Sequence, residues 1–76
     1  MFLEIVTPEK KIFEGEADSA IFPGADGSFQ ILNDHAALVS TLEKGTLTAD
    51  KDIFQIEGGV VEVLNNKVLI LAEGIN

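Results

Sequence analysis

Short apolar stretches recur every eight to twelve residues or so along this chain, and each is cut off by Gly, Pro, Asn or Asp. That rhythm suits many short strands packed as a sandwich or barrel. Phe2-Leu3-Glu4-Ile5-Val6 reads as a first strand, stopped at Thr7-Pro8 because proline has no amide proton to give a ladder. Residues 11–14 form a second, closed by Gly15, and residues 17–22 a third. Pro23-Gly24-Ala25-Asp26-Gly27 is the strongest loop signal in the sequence. Residues 29–32 leave that loop as a strand, Asn33-Asp34 turns, and residues 36–42 are apolar again. Residues 36–42 are too short, and too β-branched at Val39 and Thr41, to favour a helix. Residues 45–49 and 53–57 flank a polar hairpin tip at Asp50-Lys51-Asp52. Gly58-Gly59 is expected to kink the chain at a bulge or sheet corner. Residues 60–64 and 67–72 are the last strands. Asn65-Asn66 between them suits the left-handed backbone of a tight hairpin.

At 76 residues there is room for one core. Apolar residues make up 46% of the chain, which is enough to build it and argues against disorder. Thirteen acidic residues face five lysines and no arginine, a net charge of −8. Such a surface disfavours nucleic acid, whose phosphates demand basic contacts, and anionic lipid for the same reason. It favours protein partners with neutral or basic patches. There is no cysteine, hence no disulfide framework, and no apolar run long enough to span a bilayer. Met1-Phe2-Leu3-Glu4 has no basic region leading into an apolar stretch, so no secretory signal is visible.

Catalytic chemistry finds little support. His35 is the only histidine, and without cysteine a zinc site would depend on carboxylates almost alone. Asp34 and His35 are neighbours, and in extended chain neighbouring side chains point to opposite faces, which is wrong for a dyad. No serine lies in a nucleophile-elbow context. Glu14, Glu16 and Asp18 alternate and are expected to line one solvated face. The glycines of residues 23–27 lack the lysine and following helix of a phosphate loop. Lys51 at a hairpin tip resembles the way a lipoyl carrier domain presents its modified lysine, and this remains as an alternative.

Three blocks in order carry a more specific resemblance. Val6-Thr7-Pro8-Glu9-Lys10-Lys11-Ile12-Phe13-Glu14-Gly15-Glu16-Ala17 opens the chain. Phe22-Pro23-Gly24-Ala25-Asp26-Gly27-Ser28-Phe29-Gln30-Ile31-Leu32-Asn33-Asp34-His35-Ala36-Ala37-Leu38 follows, and Gly58-Gly59-Val60-Val61-Glu62-Val63, leading to Val68-Leu69-Ile70-Leu71-Ala72-Glu73, closes it. Over residues 1–76 the chain resembles the N-terminal domain of the ATP synthase epsilon subunit, called delta in mitochondria. Gln30 stands where that family usually has a third glycine, and Asn33 and Ala37 where it usually has prolines.

The resemblance implies a flattened, mostly antiparallel β-sandwich of about ten short strands. It implies a non-catalytic module with no cofactor and no metal. Docked between the gamma subunit and the c-ring, on the cytoplasmic face of an energy-transducing membrane and without inserting into lipid, it would couple rotation to ATP synthesis. Thr7, Pro8 and Glu9 would touch gamma. Pro23, Gly24 and Gly27 would shape a loop at one end of the sandwich, with Ser28, Asp34, His35 and Ala36 as small or polar contacts beside it. The family's C-terminal helical hairpin is absent from residues 1–76, so this chain is expected neither to bind ATP nor to inhibit through those helices.

Overall fold

The computed structural model describes residues 1–75. Nine strands form among them: β1 (Phe2–Val6), β2 (Lys11–Glu16), β3 (Ser19–Gly24), β4 (Gly27–Leu32), β5 (Leu38–Leu42), β6 (Gly45–Ala49), β7 (Asp52–Ile56), β8 (Gly58–Leu64) and β9 (Lys67–Glu73). They correspond one to one with the apolar segments of the sequence, one fewer than the resemblance implied. One sheet has five strands in the order β2-β1-β9-β8-β5, the other four in the order β4-β3-β6-β7. All pairings are antiparallel except β1 with β9, which run parallel with Ile5 opposite Ile70.

Alternation sets the core. Leu3 and Ile5 of β1, Val61 and Val63 of β8, and Val68, Ile70 and Ala72 of β9 point inward from the larger sheet. Ala20 and Phe22 of β3, Ile31 of β4, Leu47 and Ala49 of β6, and Ile56 of β7 meet them from the smaller one. Phe22 stacks on Phe29 with ring centroids 5.4 Å apart. Phe13 of β2 meets Phe54 of β7 edge to face at 5.7 Å, joining the two sheets along one side. No polar or charged side chain is buried among the described residues.

Several boundaries differ from the sequence reading, each for a local reason. β3 begins at Ser19 rather than residue 17, because the Asp50 carboxylate takes the amides of Asp18 and Ser19 at 3.1 Å. Pro23 and Gly24 belong to β3 and Gly27 to β4, so the expected five-residue loop shrinks to a turn at Ala25 and Asp26. Proline is tolerated because Pro23 contributes only its carbonyl, which accepts from the Glu43 amide at 2.8 Å. β5 begins at Leu38 rather than residue 36, since His35 and Ala36 lie in the connection from β4. Gly58-Gly59 makes no bulge. The β8–β9 register runs unbroken through both, and the one register shift lies between Ile5 and Val6.

Asp50 has a left-handed backbone, φ 51°, in the β6–β7 turn. Asp50→Gly keeps that backbone and removes the acceptor. It is expected to cost about 1–2 kcal/mol, with Asp50→Asn recovering part of it, as urea denaturation would show.

Candidate functional site

The strand directions sort the turns to two ends. Thr7-Pro8-Glu9, the Ala25-Asp26 turn and Gly58-Gly59 lie at one end, and Asn33 to Ala36, Asp50-Lys51 and Asn65-Asn66 at the other. The expected cluster of contacts is therefore divided. Pro23, Gly24, Gly27 and Ser28 sit at the first end, while Asp34, His35 and Ala36 are a whole strand of β4 away. They cannot stand beside the loop, because the strand between them is fully extended.

At the first end the Thr7 amide and the Lys10 carbonyl close the β1–β2 turn at 2.9 Å, reinforced by the Thr7 hydroxyl donating to the same carbonyl at 3.1 Å. Pro8 and Glu9 are exposed at its tip. Gly27 has φ 114°, a conformation L side chains avoid, which completes the tight β3–β4 turn. Gly24 is tied by space instead. A Cβ there would meet the Gly27 carbonyl oxygen at 2.8 Å and the Phe29 ring at 2.9 Å. Ser28 is exposed on β4, next to the turn.

At the other end His35 is exposed, and its Nδ1–H donates to the Ala36 carbonyl at 2.8 Å. The ring is committed to its own turn and has no carboxylate or hydroxyl partner among the described residues, which argues against the dyad with Asp34. Asp34 has φ 62° and donates its amide to Asn66 Oδ1 at 2.8 Å. Asn33, where the resembling family has proline, accepts from the Met1 ammonium and donates to Asp18 at 3.3 Å. Ala37, at the other position where the family has proline, lines a groove of about 350 Å³ with Leu38, Val39 and Leu64.

Lys51 is exposed at the β6–β7 tip. Lys11 lies between Glu14 and Glu4, whose hydrogen bonds hold its pKa above the ordinary lysine value. It stays charged at neutral pH, so it is no nucleophile. Among the described residues no three of His, Asp and Glu gather as metal ligands, and no helix is long and apolar enough to cross a membrane.

The feature that sequence reasoning left unplaced is the outer face of the five-stranded sheet. Register aligns Val6, Leu71, Val60 and Thr41 in one row across β1, β9, β8 and β5. The next row is Glu4, Leu69, Glu62 and Val39, and a third holds Phe2, Lys67 and Leu64. Val39 is 69% exposed, Leu64 52% and Leu71 50%. The opposite outer face carries Ser28, Gln30, Thr46, Thr48 and Gln55, with Ile21, Leu32 and Ile53 between them. The signal was present in Lys67-Val68-Leu69-Ile70-Leu71-Ala72, which is apolar on both alternating faces, as a strand covered on both sides should be.

Known proteins agree with this architecture. The family described as ATP synthase, Delta/Epsilon chain, beta-sandwich domain matches residues 1–76. An ATP synthase epsilon chain of Chlorobium limicola is 48% identical, covering 97% of this chain and 90% of the relative. One from Desulforamulus reducens is 44% identical over 93% of this chain, which spans only 57% of that relative. A chain in the central stalk and c-ring structure of Tetrahymena thermophila mitochondrial ATP synthase superposes with a TM-score of 0.83 at 22% identity. It covers 99% of this chain and 64% of its own length, and shares the fold. On the strength of the family match and the identity to these relatives, the chain belongs to the ATP synthase delta/epsilon family and forms its β-sandwich domain.

Proposed function

We infer that the domain is a non-catalytic docking element of the synthase's central stalk, joining the gamma subunit to the c-ring so that rotation is transmitted without slip. The observation that carries this reading is the outer face of the five-stranded sheet, where Val6, Val60, Leu69, Leu71, Val39 and Leu64 outnumber Glu4, Glu62 and Lys67 on a strongly acidic chain. A monomer gains nothing by leaving Leu71, Leu64 and Val39 in water, and such a face marks a protein contact. We assign gamma to that face, with Thr7, Pro8 and Glu9 at one margin and Asp34, His35 and Ala36 at the other. The c-ring is assigned to the turn around Pro23, Gly24, Gly27 and Ser28, which projects from the far corner. The complex is membrane-associated, and the domain sits peripherally on its cytoplasmic face.

Torque transfer needs a rigid body and a well-packed contact, and a two-sheet core with an open apolar face suits both without a reactive centre. Lys51 has the exposure a carrier lysine needs. Its neighbour Asp50 is engaged in capping Asp18 and Ser19, however, and membership of the delta/epsilon family displaces the carrier reading.

Co-expression with gamma from the same source, followed by gel filtration and native mass spectrometry, is expected to give a one-to-one complex. A folded domain that never co-elutes with gamma would refute the assignment.

A further inference from the structure

We propose that Asn66 is the residue that positions the His35 turn for docking. The proposal rests on the gamma assignment above and adds to it a device built across the two sheets.

Asn65 and Asn66 form the β8–β9 hairpin of the five-stranded sheet, with φ 50° and 61°. A two-residue turn with both residues left-handed matches the twist of the strands it joins. That role uses only the backbone of Asn66. Its backbone carbonyl also accepts the Phe2 amide at 3.1 Å, tying the hairpin to β1. Its side chain does something separate. Oδ1 accepts the Asp34 amide at 2.8 Å, and Asp34 lies beyond the end of β4, in the other sheet.

The turn is held at its start through Asn33, which accepts from the Met1 ammonium and donates to Asp18, and beyond Asn33 its ties are few among the described residues. Residues 32–37 are all exposed, and no side chain of Asp34, His35 or Ala36 enters the core. The His35 amide is bonded to the Leu32 carbonyl at a long 3.2 Å, and the His35 ring bonds only within the turn. Asn66 Oδ1 is thus the bond that holds the Asp34 backbone to the five-stranded sheet, one residue beyond the contact of Asn33 Oδ1 with the Met1 ammonium. The connection then passes Ala37 into the groove it shares with Leu38, Val39 and Leu64, on the margin of the apolar face. This Asn66–Asp34 bond therefore joins the polar turn to the apolar face as part of a single preformed surface. Holding a contact loop in its bound position before association raises affinity by lowering the ordering cost.

The test separates this role from a structural one. Asn66→Gly keeps the left-handed backbone and produces Asn-Gly, the strongest two-residue hairpin turn, so the sheet should form at least as well. Only the Oδ1 acceptor is lost. Asn66→Asp retains an acceptor at the same place. In the unmodified chain the Asp34 amide should exchange with solvent about tenfold more slowly than an unbonded exposed amide, and this needs no variant. In Asn66→Gly that protection should vanish while the β8–β9 ladder amides keep theirs. Affinity for gamma should fall about tenfold, and Asn66→Asp should restore most of it.

An unprotected Asp34 amide in the unmodified chain would overturn the proposal. So would Asn66→Gly binding gamma as tightly as the parent, which would leave the gamma assignment standing. Failure of the unmodified chain itself to bind gamma would instead strike at the assignment, and the two failures are told apart by that control.

Discussion

Gly59→Ala is expected to destabilise the domain by about 3–5 kcal/mol, combining backbone strain with overpacking. Gly59 lies inside β8 between β5 and β9, opposite Leu42 on one side and Ala72 on the other. Its φ is 155°, and a Cβ there would run into the Leu71 carbonyl oxygen and approach Ala72 Cα to 3.2 Å. The obstacle is backbone in the middle of a sheet, so it cannot swing away as a side-chain tip would. Relief requires β9 to separate from β8, which breaks ladder bonds. A domain of this size has only about 4–11 kcal/mol of stability in all. The melting temperature should therefore fall by about 15–30 °C. Gly15→Ala is the matched control. Its Cβ would meet only the Phe13 ring, at 3.6 Å, and the change should be neutral or stabilising by up to about 1 kcal/mol. Differential scanning calorimetry of the two variants distinguishes these outcomes. Similar melting temperatures would show that the close approach of β8 and β9 at Gly59 is not what the geometry indicates.

The second large effect concerns binding. Leu71→Lys should leave the fold intact and weaken the complex with gamma by about 100-fold or more, the loss of a central apolar anchor plus the burial of an unpaired charge. Leu71 is half exposed on the outer face, flanked by Val6 and Val60. In the free domain a lysine there lies in water and partly offsets the negative charge, so the melting temperature should move little. In a complex the ammonium would be enclosed by valines. Ile53→Lys, at an even more exposed position on the other sheet, should bind normally. Isothermal titration of gamma with the three proteins reads this directly. Equal loss from both substitutions would mean a general effect of charge, and loss from Ile53→Lys alone would move the gamma contact to the four-stranded sheet.

Much of the architecture was legible in the residues. Recurring short apolar stretches marked the strands, and Gly, Pro and Asn marked the turns, because both signals are local. The hairpin at Asn65-Asn66 followed from the ease with which asparagine adopts a left-handed backbone. Local reading failed where a partner distant in sequence intervened. Residues 17 and 18 look like strand, yet Asp50 claims the amides at Asp18 and Ser19 and delays β3. Pro23 and Gly24 look like loop, yet the register with Ser28 and Gly27 carries the strand through both.

The candidate contacts divide in the same way. The family resemblance pointed to Thr7, Pro8, Glu9, Pro23, Gly24, Gly27, Ser28, Asp34, His35 and Ala36, all on or next to turns. That His35 and Ser28 lie at opposite ends follows from β4 being extended between them, a consequence of sheet pairing. The all-β class and the approximate positions of the strands were readable locally, because apolar patterning and turn chemistry are properties of neighbouring residues, and the resemblance of three motif blocks named the family. That β9 lies between β1 and β8, so that its two apolar faces divide into a buried core and an open surface, emerges from sheet assembly. Only the tertiary structure brought Asn66 to Asp34. Strand order is set by the burial available to the whole chain, and no local pattern encodes it.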